Sequence, residues 1–380
     1  MKIKTLSYWD NTRKWYFEDI HFFDLTLLVG ASGVGKTQIL SAISNLAAFA
    51  NGELLNGVEW EMIFENDGKE YLWQGKTEII DQRNYYLQIL LKNDKNVVSP
   101  RVINEKIFIN KNLIAERTSK KIIYKGVDMP KLTSSESLIN IFQEESDFNS
   151  LHKHLKNIVF RDYTQKASGF LDIFLSFDRE INSEDYETLE NIRNSNLYTV
   201  QKLYYIYENV PKIFSKIVDL YKDIFPQIEK VKFELIDDRI LHYLTPALQF
   251  KETGVNRWIP ADEISSGMLR TFLHIAEMYL LKDGTVVLID EFENSLGVNC
   301  INVLTEDLIY ENSRLQFIAT SHHPYIINKI PYNYWKIITR KGGQIKTHDA
   351  TDFNLEASNH ERFINLINLP QYKRGIESLV

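Results

Sequence analysis

The chain has almost no cysteine, no apolar stretch of membrane length and no surplus of positive charge. The single Cys300 excludes an internal disulfide framework and fits a reducing compartment. The run FFDLTLLVG is too short to cross a bilayer and carries Asp24 inside it. No amino-terminal stretch joins basic residues, an apolar run and a small-residue cleavage site, so a cytoplasmic protein with no membrane partner is expected. A formal net charge of -7 argues against a general binder of nucleic-acid backbone. Local basic spots at 117–126 and 152–157 read as solvated surface. Internal repeats and low-complexity tracts are missing too, and apolar positions do not hold a heptad long enough for a coiled coil.

What is present is an ordinary globular balance, 44% hydrophobic and 25% charged over 380 residues. That length suits one large domain with an insertion, or two domains. The first 24 residues alternate aromatic and polar positions around a turn signal, WDNTRKW, and read as an antiparallel hairpin. LTLLVG fits a short buried strand, and the residues after it repeat apolar side chains at helical spacing. Segments between 57 and 130, including YYLQILL, alternate as antiparallel strands. From 131 to 228 the pattern turns helical, punctuated by Pro211 and Pro226. Strands return after 228, followed by a helix at 266–281, the strand TVVLID, a helix near 298–311, the strand LQFIAT, another helix and a hairpin over YWKIITRKGGQIKTH. The expected organisation is an α/β fold: a lobe over 1–130, a helical insertion over 131–228 and a second lobe over 229–380.

The sharpest motif is GASGVGKT at 30–37. A chance match to glycine, four free positions, then Gly-Lys-Ser/Thr occurs about once in 100 chains of this length. Its chemistry is that of a phosphate cradle. Gly30, Gly33 and Gly35 let backbone N–H groups wrap around oxygen atoms. Lys36 supplies a mobile cation for the β/γ oxygens, and Thr37 supplies a hydroxyl for Mg²⁺. Ser32, Val34 and Gln38 complete the set of residues expected to touch the nucleotide. The helix that follows directs its positive end at the phosphates.

A cradle alone hydrolyses nothing. TVVLIDEFENSL places Asp290 and Glu291 at the carboxyl end of an apolar strand, where parallel α/β sheets bind ligands. Asp290 is the candidate metal carboxylate. Glu291, pointing elsewhere, is the candidate that deprotonates water. LQFIATSHHP ends in the same manner with Ser321, His322 and His323, and a histidine there can hydrogen-bond a γ-phosphate or the lytic water; His322 is preferred over His323. Ser266 and Gly267, in ISSGMLR, start a helix and form an anion site or a plain cap.

GASGVGKT, ISSGMLR, VVLIDEFENSL and ATSHHP occur in the order found in ABC-class ATPases. The chain resembles the RecF/OLD-like branch, among the stand-alone ATPase subunits of bacterial anti-phage defence of the PARIS, Septu or retron-associated type. The likeness covers about 1–60 and 230–375. It implies a P-loop NTPase with ABC-ATPase head architecture, a mixed sheet with an antiparallel β subdomain, and an inserted helical subdomain. Lys36 and Thr37 then fall on the Walker A positions, and Asp290 and Glu291 on the Walker B aspartate and catalytic glutamate. Ser266 and Gly267 fall on the signature motif that reaches the γ-phosphate held by a second subunit, Asn294, Ser295 and Leu296 on the D-loop, and His322 on the switch histidine. ATP with Mg²⁺ is expected between two copies of the chain, in a homodimer or a higher oligomer. Met268, Gly297 and His323 depart from common residues of these motifs. Gln143 is the choice for the Q-loop, and Tyr8 or Trp9 for an aromatic on adenine.

No acidic cluster of TOPRIM type follows the last motif, so a nuclease or toxin effector of TOPRIM or HNH kind is expected on a separate chain. Three functions stay open: an ATPase sensor that controls such an effector on a DNA or phage-protein trigger, a RecF-like ATP-gated DNA-binding protein of repair, and a hub that binds ATP with little turnover.

Overall fold

The computed structural model describes residues 1–81, 99–130, 133–162, 183–238, 243–292, 314–353, 364–366 and 368–369. In chain order the first elements are β1 (Lys2–Asp10), β2 (Trp15–His21), β3 (Leu25–Val29), α1 (Lys36–Ala50), β4 (Val58–Asn66), β5 (Lys69–Thr77), β6 (Val102–Ile109) and β7 (Asn112–Thr118). Next come β8 (Ile122–Tyr124), β9 (Val127–Met129), α2 (Leu138–Ile141), α3 (Asn149–Lys156), β10 (Val159–Asp162), α4 (Leu189–Asn194), α5 (Thr199–Asn209) and α6 (Pro211–Ile224). The chain continues through β11 (Ile228–Asp238), β12 (Tyr243–Glu252), β13 (Ile259–Pro260), α7 (Ser266–Leu280), β14 (Val286–Asp290), β15 (Gln316–Thr320), α8 (Pro324–Lys329), β16 (Trp335–Lys341) and β17 (Gln344–Asp349). Two compact units divide it: residues 1–161, 284–290 and 313–380 form the first, and 162–283 with 291–312 the second.

The first unit is built on a mixed sheet with the order β10-β14-β15-β3-β16-β17-β2-β1-β4-β5-β6-β7-β8-β9 among the described residues. Its two halves carry different sequence patterns. β14, β15, β3 and β16 run parallel, and β3 and β15 are buried at every position. Both faces of these strands are covered, so they read as unbroken apolar runs. From β1 to β9 the pairings are antiparallel. There β4 alternates strictly, with Val58, Trp60, Met62 and Phe64 on the buried face. Three of the hairpin turns hold pairs of positive-φ residues, Asp67–Gly68, Asn110–Lys111 and Lys125–Gly126, the backbone twist that a two-residue hairpin needs.

Helix α1 buries Ile39, Leu40, Ile43, Leu46, Ala47 and Ala50 along one stripe. Phe49 packs edge-on to Trp60 at 5.4 Å and parallel to Trp73 at 6.2 Å, which fixes the helix on the antiparallel half. A buried Gln316 ties the halves together. Its amide donates to the Ile3 carbonyl at 2.8 Å and the Phe23 carbonyl at 3.0 Å, while its Oε1 accepts from Ile3 N at 2.7 Å. The expected hairpins over residues 1–24 and 335–349 are both present.

In the second unit, β11 and β12 form an antiparallel pair extended by β13. Phe272 of α7 meets Tyr221 of α6 and Phe250 of β12 edge-on, at 5.1 and 5.4 Å. Buried Lys202 on α5 donates to the Arg193 carbonyl at 2.9 Å and the Leu280 carbonyl at 3.4 Å, near the ends of α4 and α7. Burial lowers its pKa to about 8, with nearby Lys282 adding to the effect and Glu277 opposing it.

These units part at other places than the expected boundaries of 130/131 and 228/229. Leu138, Ile139, Leu151 and Leu155 of α2 and α3 join the core of the first unit, whereas β11–β13 and α7 group with the second. Periodicity reports the type of an element, not the surface that buries it. The expected strand YYLQILL and the helix near 298–311 lie outside the described residues.

Candidate nucleotide-binding site

Strand β3 ends at Val29, and the chain must turn from a buried strand into α1 over residues 30–35. Gly30 has no room for a side chain: a Cβ there would lie 2.6 Å from the carbonyl oxygen of Ile338 in the neighbouring β16. Gly35, the residue before α1, holds φ at 105°, and a Cβ would strike the Ile345 side chain of β17. Val34 is buried and anchors the loop, so only its backbone is available to a ligand; Ser32 and Gly33 are exposed. No side chain caps α1, whose first-turn N–H groups face the loop. Lys36 folds its ammonium back onto the loop, with Nζ donating to the Gly30 carbonyl at 2.7 Å and the Ala31 carbonyl at 2.9 Å. Gln38 Oε1 is buried and has no hydrogen-bond partner among the described residues.

Because β14, β15 and β3 are parallel neighbours, their carboxyl ends lie side by side. Those ends bring Asp290, Thr320 and the start of α1 together. Thr37 Oγ1 donates to Asp290 Oδ1 at 3.1 Å, and Thr320 Oγ1 donates to the same oxygen at 2.6 Å. Glu291 leaves the strand with φ at 47°, a left-handed conformation that non-glycine residues adopt mainly where function or tight turning demands it. His322 follows β15 and is exposed. His323 serves the local backbone. Its Nδ1 accepts from Tyr325 N at 3.2 Å as the N-cap of α8, and its own N donates to Ser321 Oγ at 3.1 Å.

The family described as "AAA domain, putative AbiEii toxin, Type IV TA system" matches residues 25–328, which include the loop, Asp290 and Thr320. The chain belongs to this family. No curated protein matches it. Among solved structures, an SMC head bound to the C-terminal winged-helix domain of ScpA aligns at a TM-score of 0.50 with 12% identity, covering 92% of this chain and 97% of that one. At that identity the likeness concerns the fold alone. The SMC head domain from Thermotoga maritima aligns at 0.44 with 12% identity, over 92% and 99% of the two chains. An SMC head with extended coiled coil, bound to a ScpA domain derived from Pyrococcus furiosus, aligns at 0.45 with 11% identity, over 92% and 97%. The AAA-domain chain thus has the mixed α/β architecture of ABC-type ATPase heads, the fold of a nucleotide-binding ATPase.

A nucleoside triphosphate with Mg²⁺ fits this donor set. Gly30 leaves no room for a side chain, Gly35 holds a φ that favours glycine, and an ammonium already lies across the loop. A hydroxyl and a carboxylate, the hard oxygen ligands that Mg²⁺ takes from protein, are already in contact.

The remaining expectations fall elsewhere. In the second unit, Ser265 is the N-cap of α7, accepting from Met268 N at 3.2 Å; Ser266 and Gly267 open the helix and are exposed. A Cβ on Gly267 would meet nothing within 4 Å. The D-loop residues Asn294, Ser295 and Leu296 lie outside the described residues, as does Gly297. Gln143 sits in the turn between α2 and α3, where its carbonyl accepts from Asn149 Nδ2 at 3.1 Å. Tyr8 is buried and stacked on Trp15 at 5.3 Å, so its ring faces are taken; Trp9 alternates onto the opposite face of β1. Sequence reading missed Thr320 although it lies inside ATSHHP, because a strand-terminal threonine carries no signal of its own. It also missed Ile338 and Ile345, which fill the space that the loop glycines leave.

Proposed function

We propose that the chain is an ATP-hydrolysing ABC-type ATPase whose active unit is a pair of copies closed over ATP. The observation that carries the reading is the shared hydrogen bonding of Thr37 and Thr320 to Asp290, at the end of the strand array that also presents the Lys36 loop. In this reading the loop N–H groups and Lys36 take up the charge of the triphosphate. Thr37 and Asp290 would hold Mg²⁺, which when bound would supply positive charge against the transferred phosphoryl group. Glu291 accepts a proton from the attacking water as its oxygen bonds to the γ-phosphorus and the bond to ADP breaks. His322 donates a hydrogen bond to the departing phosphate. Ser266 and Gly267 of the second copy cover the same nucleotide with a helix amino terminus.

The same reading makes the pair a sensor and scaffold for a separate effector, a nuclease or toxin, in anti-phage defence. The family's description assigns the AAA domain itself to a putative toxin of a type IV toxin–antitoxin system, which supports membership of a two-gene system; the separate effector goes beyond that description. The alternative, an ATP-gated DNA-binding protein, draws on one feature: a cleft of about 370 Å³ in the antiparallel half, lined by Arg101, Arg117, Lys120 and Lys121 with Glu78 as the acid. Retardation of duplex DNA by the ATP-bound protein, lost on reversing Lys120 and Lys121 to glutamate, would favour it.

The central test uses Lys36→Ala and Glu291→Gln. Lys36→Ala abolishes nucleotide binding. Glu291→Gln keeps binding, lowers turnover by about 10²–10⁴-fold and accumulates an ATP-bound dimer visible by size-exclusion chromatography. Unchanged phosphate release by Glu291→Gln sinks the catalytic assignment, and unchanged ATP affinity of Lys36→Ala sinks the site.

A further inference from the structure

Thr320 is the last residue of β15 and is 1% exposed. Its hydroxyl donates to Asp290 Oδ1 at 2.6 Å, the short distance of an O–H donor on a charged oxygen. The bond joins the ends of two parallel strands paired from Val286/Gln316 to Ile289/Ala319, so both partners are carried on rigid backbone. Thr37 donates to the same oxygen from the exposed first turn of α1, at a longer 3.1 Å.

The two donors differ in freedom. The Thr37 hydroxyl, on the exposed first turn of α1, carries two lone pairs besides its proton and can turn one of them toward a metal. Thr320 is buried and β-branched, with its χ1 restricted, so its donation to Asp290 is held in place by the strand. A carboxylate offers about four lone-pair sites on two oxygens. One of them, held by Thr320, fixes the plane of the carboxyl group and leaves the others for the metal.

We infer that Thr320 is a positioning residue that pre-sets the Asp290 carboxylate for Mg²⁺. The inference rests on the reading of this loop as an ATP–Mg²⁺ site. It places Thr320 in the class of partners that orient a metal ligand, whose removal weakens metal affinity by roughly 10–100-fold. A purely structural threonine would instead lower stability without touching the metal dependence.

The experiment titrates a fluorescent ATP analogue into wild type, Thr320→Val and Thr320→Ser, first in EDTA and then across a Mg²⁺ series, with melting temperatures recorded alongside. Thr320→Val is expected to bind nucleotide in EDTA within about twofold of wild type, and to need about 10–100-fold more Mg²⁺ for half of the metal-induced tightening. Thr320→Ser, which keeps the hydroxyl, is expected to restore the wild-type midpoint. Thr320→Ala replaces the valine variant should the latter not fold. A wild-type Mg²⁺ midpoint in Thr320→Val overturns the inference while leaving the ATP site intact, and so does an equal loss of affinity with and without Mg²⁺. If wild type itself binds no nucleotide, the ATP-site reading fails first and takes this inference with it.

Discussion

Replacing Gly30 with alanine probes the loop where steric demand is greatest. The added Cβ would lie 2.6 Å from the Ile338 carbonyl oxygen and 3.1 Å from Val34 Cγ2. An ordinary carbon–oxygen contact is about 3.3 Å, so the loop or the strand must yield by roughly 0.7 Å. The carbonyl belongs to backbone that pairs in parallel with β3, where Ile337 faces Val29. It cannot swing away as a side-chain tip can. Overpacking of this kind costs about 1–3 kcal/mol. At roughly 2–4 °C per kcal/mol for a unit of this size, the melting temperature falls by about 2–12 °C. If the displaced loop also loses one N–H bond to a phosphate, about 1.5–3 kcal/mol of binding goes with it, which weakens ATP by roughly 10–150-fold. Gly33→Ala is the comparison: a Cβ there meets nothing within 4 Å, and only the φ of 81° resists it, at about 1–2 kcal/mol. Differential scanning fluorimetry and nucleotide titration of both variants decide the matter. Should Gly30→Ala melt and bind like wild type, the close approach of β16 to the loop is not a feature of the folded protein, and the steric reason for glycine at position 30 falls.

Lys202 gives a pH-dependent outcome. Its folded pKa of about 8 lies below the ordinary 10.5, so between those values the unfolded chain holds the proton longer and stability rises with pH. The gap, at about 1.4 kcal/mol per pH unit and reduced for partial contact with water, is worth on the order of 2 kcal/mol. Urea unfolding of wild type and Lys202→Met at pH 7 and pH 10 should show their stability difference moving by that amount; a difference independent of pH refutes the burial argument. Glu105 is a fully buried acid that accepts from Trp73 Nε1 at 2.8 Å, Ser137 Oγ at 2.7 Å and Leu138 N at 2.8 Å. Burial pushes its pKa up, against those donors and Arg117. Glu105→Ala strands three donors at once and should cost roughly 3–5 kcal/mol by urea unfolding; a loss under about 1 kcal/mol shows that the network relaxes or fills with water.

How far the chain could be read in advance depended on the range of each interaction. Leu25–Val29 announces itself as a strand buried on both faces, and Val58–Asn66 as one buried on a single face, because each pattern is complete within a few residues. The glycines, Lys36 and Thr37 raise the expectation of a phosphate cradle for the same reason: wrapping and neutralising an anion are local requirements. Asp290 and Glu291 were legible as acids at a strand end, and His322 as the preferred histidine, although only the cap that His323 makes on α8 gives that preference a physical ground. Helices α2 and α3 looked like part of an insertion, because helical spacing does not say which surface a helix covers.

By itself, then, the sequence determined the strand and helix types around the loop, the loop's glycines and lysine, and the acidic strand end, all of which follow from spacing along a short stretch of chain. Only the tertiary structure decided that Thr37 meets Asp290 across 253 positions, that Thr320 holds the same carboxylate, and that the Ile338 carbonyl crowds position 30 of the loop. Those contacts come from the order in which parallel strands assemble in the sheet, and strand order is set by packing between distant segments that no local pattern encodes.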